Sequence, residues 1–235
     1  MEQNYPFTTS RLMKILDRLN PVNYDNPNSI ANKLRNKRFA FLEERIKKIS
    51  PPVLKILDVG GEQEFWISRN YYNYPNIHIT ILNLFTEKIV HPNFSSVQGD
   101  ATNMSNYQDG EFDLVFSNSV IEHLHSKEKQ ILMANEAQRV GKYHFIQTPN
   151  KYFIVEPHFL LPLFNFLPRK LQIFILTKTK LSRGTKRTKD SAVRFLSELR
   201  LLSGKEMKSL FPKSKIYKER ALGLVKSITA HNLPD

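Results

Sequence analysis

The sequence predicts an α/β fold: a mostly parallel sheet wound with helices on both faces and closed by an antiparallel edge. Short apolar runs recur at regular spacing, each with a polar residue at its carboxyl end, as buried strands alternating with helices do. The first run, Leu54-Lys55-Ile56-Leu57-Asp58-Val59, goes straight into Gly60-Gly61. A strand that stops at glycines and enters a helix is how a doubly wound sheet makes room for a nucleotide-like ligand. Glycine serves there because the chain must turn sharply and a ligand must approach with no Cβ between. Two late runs that suit strands joined by a short turn bring the expected sheet to seven strands.

Residues Thr8 to Leu19 read as a short helix stopped by Asn20-Pro21, and a second helix is expected from Asn28 or Ser29 to Ile49. Leu34, Leu42, Ile46 and Ile49 recur on one side of it, and Pro51-Pro52 ends it. Both helices are expected to form a cap or edge layer outside the sheet. Strands follow at Val53 to Val59, Ile77 to Leu84, Phe94 to Gln98, Phe112 to Phe116 and Tyr143 to Gln147. A helix is predicted over Gln63 to Tyr72. Another is predicted over Lys127 to Val140 behind the N-cap Ser126, with Ile131, Ala134, Ala137 and Val140 facing inward. The stretch from His158 to Leu176 is rich in Phe and Leu but carries Pro162 and Pro168, which excludes one unbroken helix. Helical pattern returns over Asp190 to Leu202. Ser203 and Glu206 have capping-box spacing before Met207 and Leu210. Lys215 to Arg220 and Leu222 to Ala230 are the closing strands.

The chain has 235 residues, 40% hydrophobic and 11% aromatic, which is enough for a substantial core and excludes a disordered chain. It has no cysteine, so disulfides and zinc–thiolate sites are excluded and a reducing compartment is compatible. Met1 to Ser10 shows no secretory signal, and no charge-free run is long enough to span a bilayer, so a cytoplasmic location is expected. The net charge of +13 is partly local: eight basic residues and no acidic one lie between Arg169 and Lys189. Such a stretch can attract nucleic acid, anionic lipid or an acidic substrate, or be a solvated basic loop.

Asp58-Val59-Gly60-Gly61, the strand ending in Asn83, Gly99-Asp100-Ala101, and the block Phe112-Asp113-Leu114-Val115-Phe116-Ser117-Asn118-Ser119-Val120-Ile121-Glu122-His123-Leu124 together resemble class I S-adenosylmethionine-dependent methyltransferases. The likeness is greatest to small-molecule enzymes of the ubiquinone-biosynthesis type, and it covers Val53 to Asn150. The resemblance implies a Rossmann-like fold and one methyltransferase domain. That domain would comprise a helical cap (1–52), a cofactor-binding core (53–150), a lid or substrate insert (151–190) and a closing helix with two strands (191–235). It implies S-adenosylmethionine as cofactor, with Asp58, Gly60 and Gly61 beside its methionine part. Asn83, followed by Leu84, stands where the family usually has an acidic residue for the ribose. Asp100 and Ala101 would meet the adenine, and Ser117, Asn118 and Ser119 would face the methyl group. Two features depart from the family: Glu62 and Glu64 replace glycines of the loop, and Asn83 lacks the usual charge.

Methyl transfer asks the protein to hold an acceptor in line and, for a hydroxyl acceptor, to take its proton. Glu122 and His123 are the first candidates for base or orienting group, against the alternatives of a helix-start carboxylate and a packed imidazole. His158, just past the fifth strand, is a second candidate base. No metal site is expected: His123 and His125, two apart, face different ways on a helix, and His144 reads as structural. The segment Tyr152 to Leu176 is expected either to be a substrate lid or a hydrophobic satellite core. Phe153, Phe159, Phe164, Phe166 and Phe174 beside Arg169 and Lys170 point to a small, amphiphilic acceptor, such as a lipid-linked sugar or quinone, or to peripheral contact of 158–189 with anionic membrane. The rival readings are a nucleic-acid-binding protein or RNA methyltransferase, which the charge favours, and a catalytically degenerate member of the fold. A nicotinamide dehydrogenase is disfavoured because the spaced glycines for a pyrophosphate are missing.

Overall fold

The computed structural model describes residues 29–235 except positions 50, 157, 160 and 183. The helix expected over Thr8 to Leu19 lies outside the described residues. A seven-stranded sheet forms the centre, in the order β3-β2-β1-β4-β5-β9-β8. Its strands are β1 Leu54–Val59, β2 Ile77–Asn83, β3 Phe94–Gln98, β4 Phe112–Asn118, β5 Gly141–Pro149, β8 Lys215–Ala221 and β9 Leu224–His231. The first five are parallel, and β9 runs antiparallel to both β5 and β8. The expected order of elements and the antiparallel edge are both present. Strand order reverses between β1, whose other neighbour is β2, and β4. Loops at the carboxyl ends there diverge, which opens a crevice.

Alternation along β1 divides the core between the two faces of the sheet. Ile56 packs with Ile81, Leu114, Phe116 and Phe145 on one face, while Leu57 and Val59 pack with Val115 and Ile146 on the other. Helix α1, Ile30–Ile46, starts at Ser29, whose Oγ accepts from the Asn32 N–H at 3.1 Å. It forms a layer outside the sheet, and its Phe39, Leu42 and Ile46 belong to the first face's core with Leu54, Trp66 and Phe145. The expected helix over Gln63 to Tyr72 is only α2, Gln63–Ile67, followed by a 3-10 turn at Tyr71–Asn73. Asn70 between them takes φ 60°, and the aromatic side chains are used in a cluster in which Trp66 stands edge-on to Phe39, Phe65, Tyr71 and Phe116.

Helix α3, Lys127–Val140, covers the other face with its N-cap Ser126 as expected. Ile131 does not share its inner face; it is 37% exposed, and Gln130 and Met133 are buried instead. The reason is phase. Met133, Ala134, Ala137 and Val140 already complete a helical stripe, and Ile131 lies off it. Gln130 repays its burial by donating to the carbonyls of Ile121 and Arg200. After β5 come a small hairpin of β6, Val155–Glu156, and β7, Leu161–Pro162, and then helix α4, Arg169–Lys178. Helix α5, Lys189–Ser197, stops short of the predicted Leu202, which instead bridges to Asn150 at the exit of β5. Helix α6, Gly204–Leu210, carries the predicted capping box of Ser203 and Glu206.

Candidate active site

The turn after β1 is set by two close approaches. Gly60 has φ +75°, and a Cβ on it would lie 2.6 Å from Val120 Cγ2. A Cβ on Gly61 would lie 2.0 Å from Asp58 Oδ2. Asp58 is 1% exposed and accepts from the Trp66 indole N–H at 2.7 Å. Burial pushes its carboxyl up to about 7; the bond from Trp66 opposes that shift and Glu87 adds to it. Asp58 therefore lies beneath the turn as its brace. From the next strand, Asn83 Nδ2 donates to the Gly61 carbonyl at 3.1 Å, and its Oδ1 accepts from the Leu84 N–H at 2.8 Å. Glu62 needs no glycine geometry, because its backbone is extended at φ −137°. Both Glu62 and Glu64 are exposed and leave the cleft open.

That cleft has a volume of about 260 Å³ at the carboxyl ends of β1, β2 and β4. Of the predicted residues, Gly60, Asn83, Leu84, Asp100, Ala101 and Ser119 line it, and so does His123. Asp100 Oδ1 accepts from the Thr102 N–H and hydroxyl, both at 2.8 Å, which holds its carboxyl below the usual range. Among the described residues nothing donates to its other oxygen. Ser119 takes φ 61°, and its hydroxyl donates to Gln147 Oε1 at 3.0 Å. Ser117 and Asn118 are engaged elsewhere: Ser117 Oγ donates to the Val59 carbonyl, and Asn118 Oδ1 accepts from Arg38 at 3.2 Å. The set fits a nucleoside with an amino-acid arm. A glycine turn provides a side-chain-free wall, and the Asp100 carboxylate stands at the far end.

Glu122 and His123 sit in a 3-10 turn, Ile121–His123, beside the cleft. Glu122 is fully buried, and its Oε2 accepts from the Thr148 hydroxyl at 2.9 Å. His123 Nε2 lies 3.1 Å from His158 Nε2, with the rings at 79°. One imidazole donates and the other accepts, according to tautomer. Burial, then the neighbouring His158 and His125, hold the His123 imidazole down at about 4, so it is neutral at pH 7. Glu122, His123 and His158 each offer a ligand atom, all within 4.8 Å of one another, and among the described residues this is the group able to hold a metal ion. His125, at φ 63°, is outside it. His144 is buried in β5, its Nε2 2.6 Å from Ser214 Oγ.

A second cavity of about 430 Å³ is walled by the insert after β5 and the segment before α6. Phe159, next to His158, lines it, as do Lys151, Tyr152, Phe166 and Arg169. Arg200 also lines it, and its N–H donates to the Glu122 carbonyl at 2.8 Å. The turn that carries Glu122 and His123 thus lines the first cavity through His123 and is tied to the second through Arg200. The sequence reading missed three supports of this arrangement: Trp66 under Asp58, Thr148 on Glu122 and Gln147 on Ser119. Gln147 and Thr148 left a signal, as the polar residues at the end of an apolar strand.

Residues 61–144 match the family profile described as a methyltransferase domain. No curated protein sequence matches the chain significantly. Among solved structures, the CMeT domain of the citrinin polyketide synthase aligns with TM-score 0.54 at 11% identity, covering 97% of this chain and 57% of that one. Such a likeness is one of fold. A SAM-dependent methyltransferase from Methanosarcina mazei aligns with TM-score 0.48 and 13% identity over 81% of this chain and 97% of that one. One from Archaeoglobus fulgidus aligns with TM-score 0.49 and 15% identity over 84% and 94%.

Proposed function

We propose, on the premise that this chain is a class I S-adenosylmethionine-dependent methyltransferase, that its acceptor is a small molecule or a glycan or lipid precursor. The observation that carries this reading is His123, which lines the glycine-walled cleft and meets, at 3.1 Å, His158, whose chain neighbour Phe159 lines a separate cavity with aromatic and cationic walls. S-adenosylmethionine, when bound, supplies an activated methyl carbon on a sulfonium. Gly60, Asn83, Leu84, Asp100, Ala101 and Ser119 would hold it, with Asp100 accepting from the adenine amine. Asp58 and Gly61 support that wall from below, Ser117 ties β4 to the end of β1 through the Val59 carbonyl, and Asn118 is turned away to Arg38.

On the acceptor side, Lys151, Phe159, Phe166 and Arg169 would orient an acceptor in the second cavity and exclude water around it. His123, neutral at pH 7, would receive a hydroxyl proton and share it with His158 across their 3.1 Å contact. Glu122, held by Thr148, would fix the turn that presents His123. Incubating the protein with methyl-labelled S-adenosylmethionine and, separately, with a solvent-soluble metabolite fraction, a lipid fraction and total RNA tests the reading. Label is expected in one of the first two fractions and lost with His123→Ala together with His158→Ala. Label in RNA overturns the acceptor class. Absence of cofactor binding by calorimetry would instead favour a degenerate member of the fold.

A further inference from the structure

We propose that the insert after β5 docks on an anionic lipid surface through one face of α4 and the turns on either side of it. This goes beyond the methyltransferase reading and does not depend on it. The inner side of α4 is a satellite core: Gln172 and Leu176 are buried, and Leu176 packs with Phe159, Phe164, Ala192 and Leu196. Phe153, Phe159 and Phe164, read from sequence as part of an apolar surface, are each at most 3% exposed. Only Phe166 and Phe174 of the five stay outside.

The outer side is what a water-exposed helix should not have. Leu171 and Phe174, one turn apart on α4, are 42% and 55% exposed. Phe166 before the helix is 53% exposed and Leu181 after it 64%. Leu163 is 55% exposed in a left-handed backbone conformation at φ 59°, a position of strain for a leucine with no packing in return. A run of exposed apolar side chains within one short segment marks a contact surface.

The charge around these side chains selects the partner. From position 157 to 189 the chain contains no acidic residue. Lys170, Lys178, Lys180, Lys186 and Lys189 are exposed, and no ion pair to them occurs among the described residues. Apolar side chains flanked by lysines on a short helix match the acyl boundary and the anionic headgroups of a bilayer together. A nucleic acid would use the lysines but leave Leu171, Leu163 and Leu181 facing water. No helix among the described residues is long and apolar enough to cross a membrane, so the contact is peripheral. The second cavity, lined by the exposed Tyr152 and Phe166, shares this surface.

Flotation of the full chain with vesicles tests the proposal. At low salt, recovery with phosphatidylcholine–phosphatidylglycerol vesicles is expected to exceed that with phosphatidylcholine alone by about tenfold. Leu171→Glu combined with Phe174→Glu should abolish it while Tm and S-adenosylmethionine binding stay unchanged, since both side chains are exposed. Lys170→Gln, Lys178→Gln and Lys180→Gln together should remove the preference for anionic vesicles. Equal recovery with both vesicle types, or recovery indifferent to the glutamates, overturns the proposal. So does RNA binding that survives the glutamates in a protein that does not float, which would give the basic face to nucleic acid. Loss of cofactor binding in the unmutated chain would count against the methyltransferase reading and leave this one standing.

Discussion

Asp58 and Gly61 are a pair in which each residue accounts for the other. The carboxyl occupies the space a side chain at Gly61 would need, at 2.0 Å from the missing Cβ. Gly61→Ala should therefore force the buried carboxyl or the turn aside, costing about 1–3 kcal/mol of stability and weakening cofactor binding more than tenfold by calorimetry. The titration of Asp58 offers a second check. Its folded pKa of about 7 lies above the unfolded 3.8, so the native state binds the extra proton between these values and stability falls as pH rises through that window. Asp58→Asn keeps an acceptor for Trp66 and carries no charge. Relative to wild type it should gain stability steadily from pH 4 to pH 7, by at most about 4 kcal/mol. Parallel denaturation curves of the two proteins would show the shift absent.

At the scale of elements, α1 is tied to the sheet by charge as well as by apolar packing. Arg38 on α1 reaches Glu219 on β8 at 2.6 Å, and Lys226 on β9 reaches the other Glu219 oxygen at 3.1 Å. Both Glu219 and Lys226 are nearly fully buried, so removing the carboxylate charge takes away an anion that two cations share. Glu219→Gln is expected to cost about 3–5 kcal/mol, read as a lower denaturant midpoint, whereas Lys226→Met should cost less because Arg38 still pairs. None of this was visible in the sequence. Arg38 and Glu219 are 181 positions apart, and one of three arginines on a mostly polar helix gives no sign of its partner. The strands and α3 were legible because apolar run length and the Ser126 cap are local properties. The end of α2 was not, because Trp66 is committed to Asp58 and an aromatic cluster through contacts that no window along the chain contains. Likewise Gly60, Asp100 and His123 could be placed at the site through the family resemblance of their motifs, while Ser117 and Asn118, placed there on the same ground, turn to Val59 and Arg38.

For the whole molecule, acid should be more harmful than the composition implies. Burial, then the charge of His231, holds His144 down at about 4. Burial, then Arg45 and Lys215, does the same to His231. Both folded values lie below the unfolded 6.5, so the unfolded chain binds the extra protons between pH 4 and 6.5. Their contribution is complete above 6.5 and is lost as pH falls through that window, at most about 3 kcal/mol for each, and less than additively because the two interact. Asp58 acts in the opposite sense over nearly the same range, but it is one group against three, since His123 is held down in the same way. A net loss of stability on acidification is expected, visible as a falling Tm between pH 6.5 and pH 4. His144→Gln should flatten part of that slope.

The placement of β9 between β5 and β8 has a consequence for synthesis. A nascent chain that has already produced the first eight strands still leaves the long edge of β5 open, because the strand that covers it emerges after all of them. Until then the apolar rim around Phe145 and Ile146 is exposed to any neighbouring polypeptide. A ribosome stalled or terminated before Leu224 would release a chain with most of its donor cleft encoded and a sticky seam beside it. Truncation there should yield aggregates rather than a smaller enzyme.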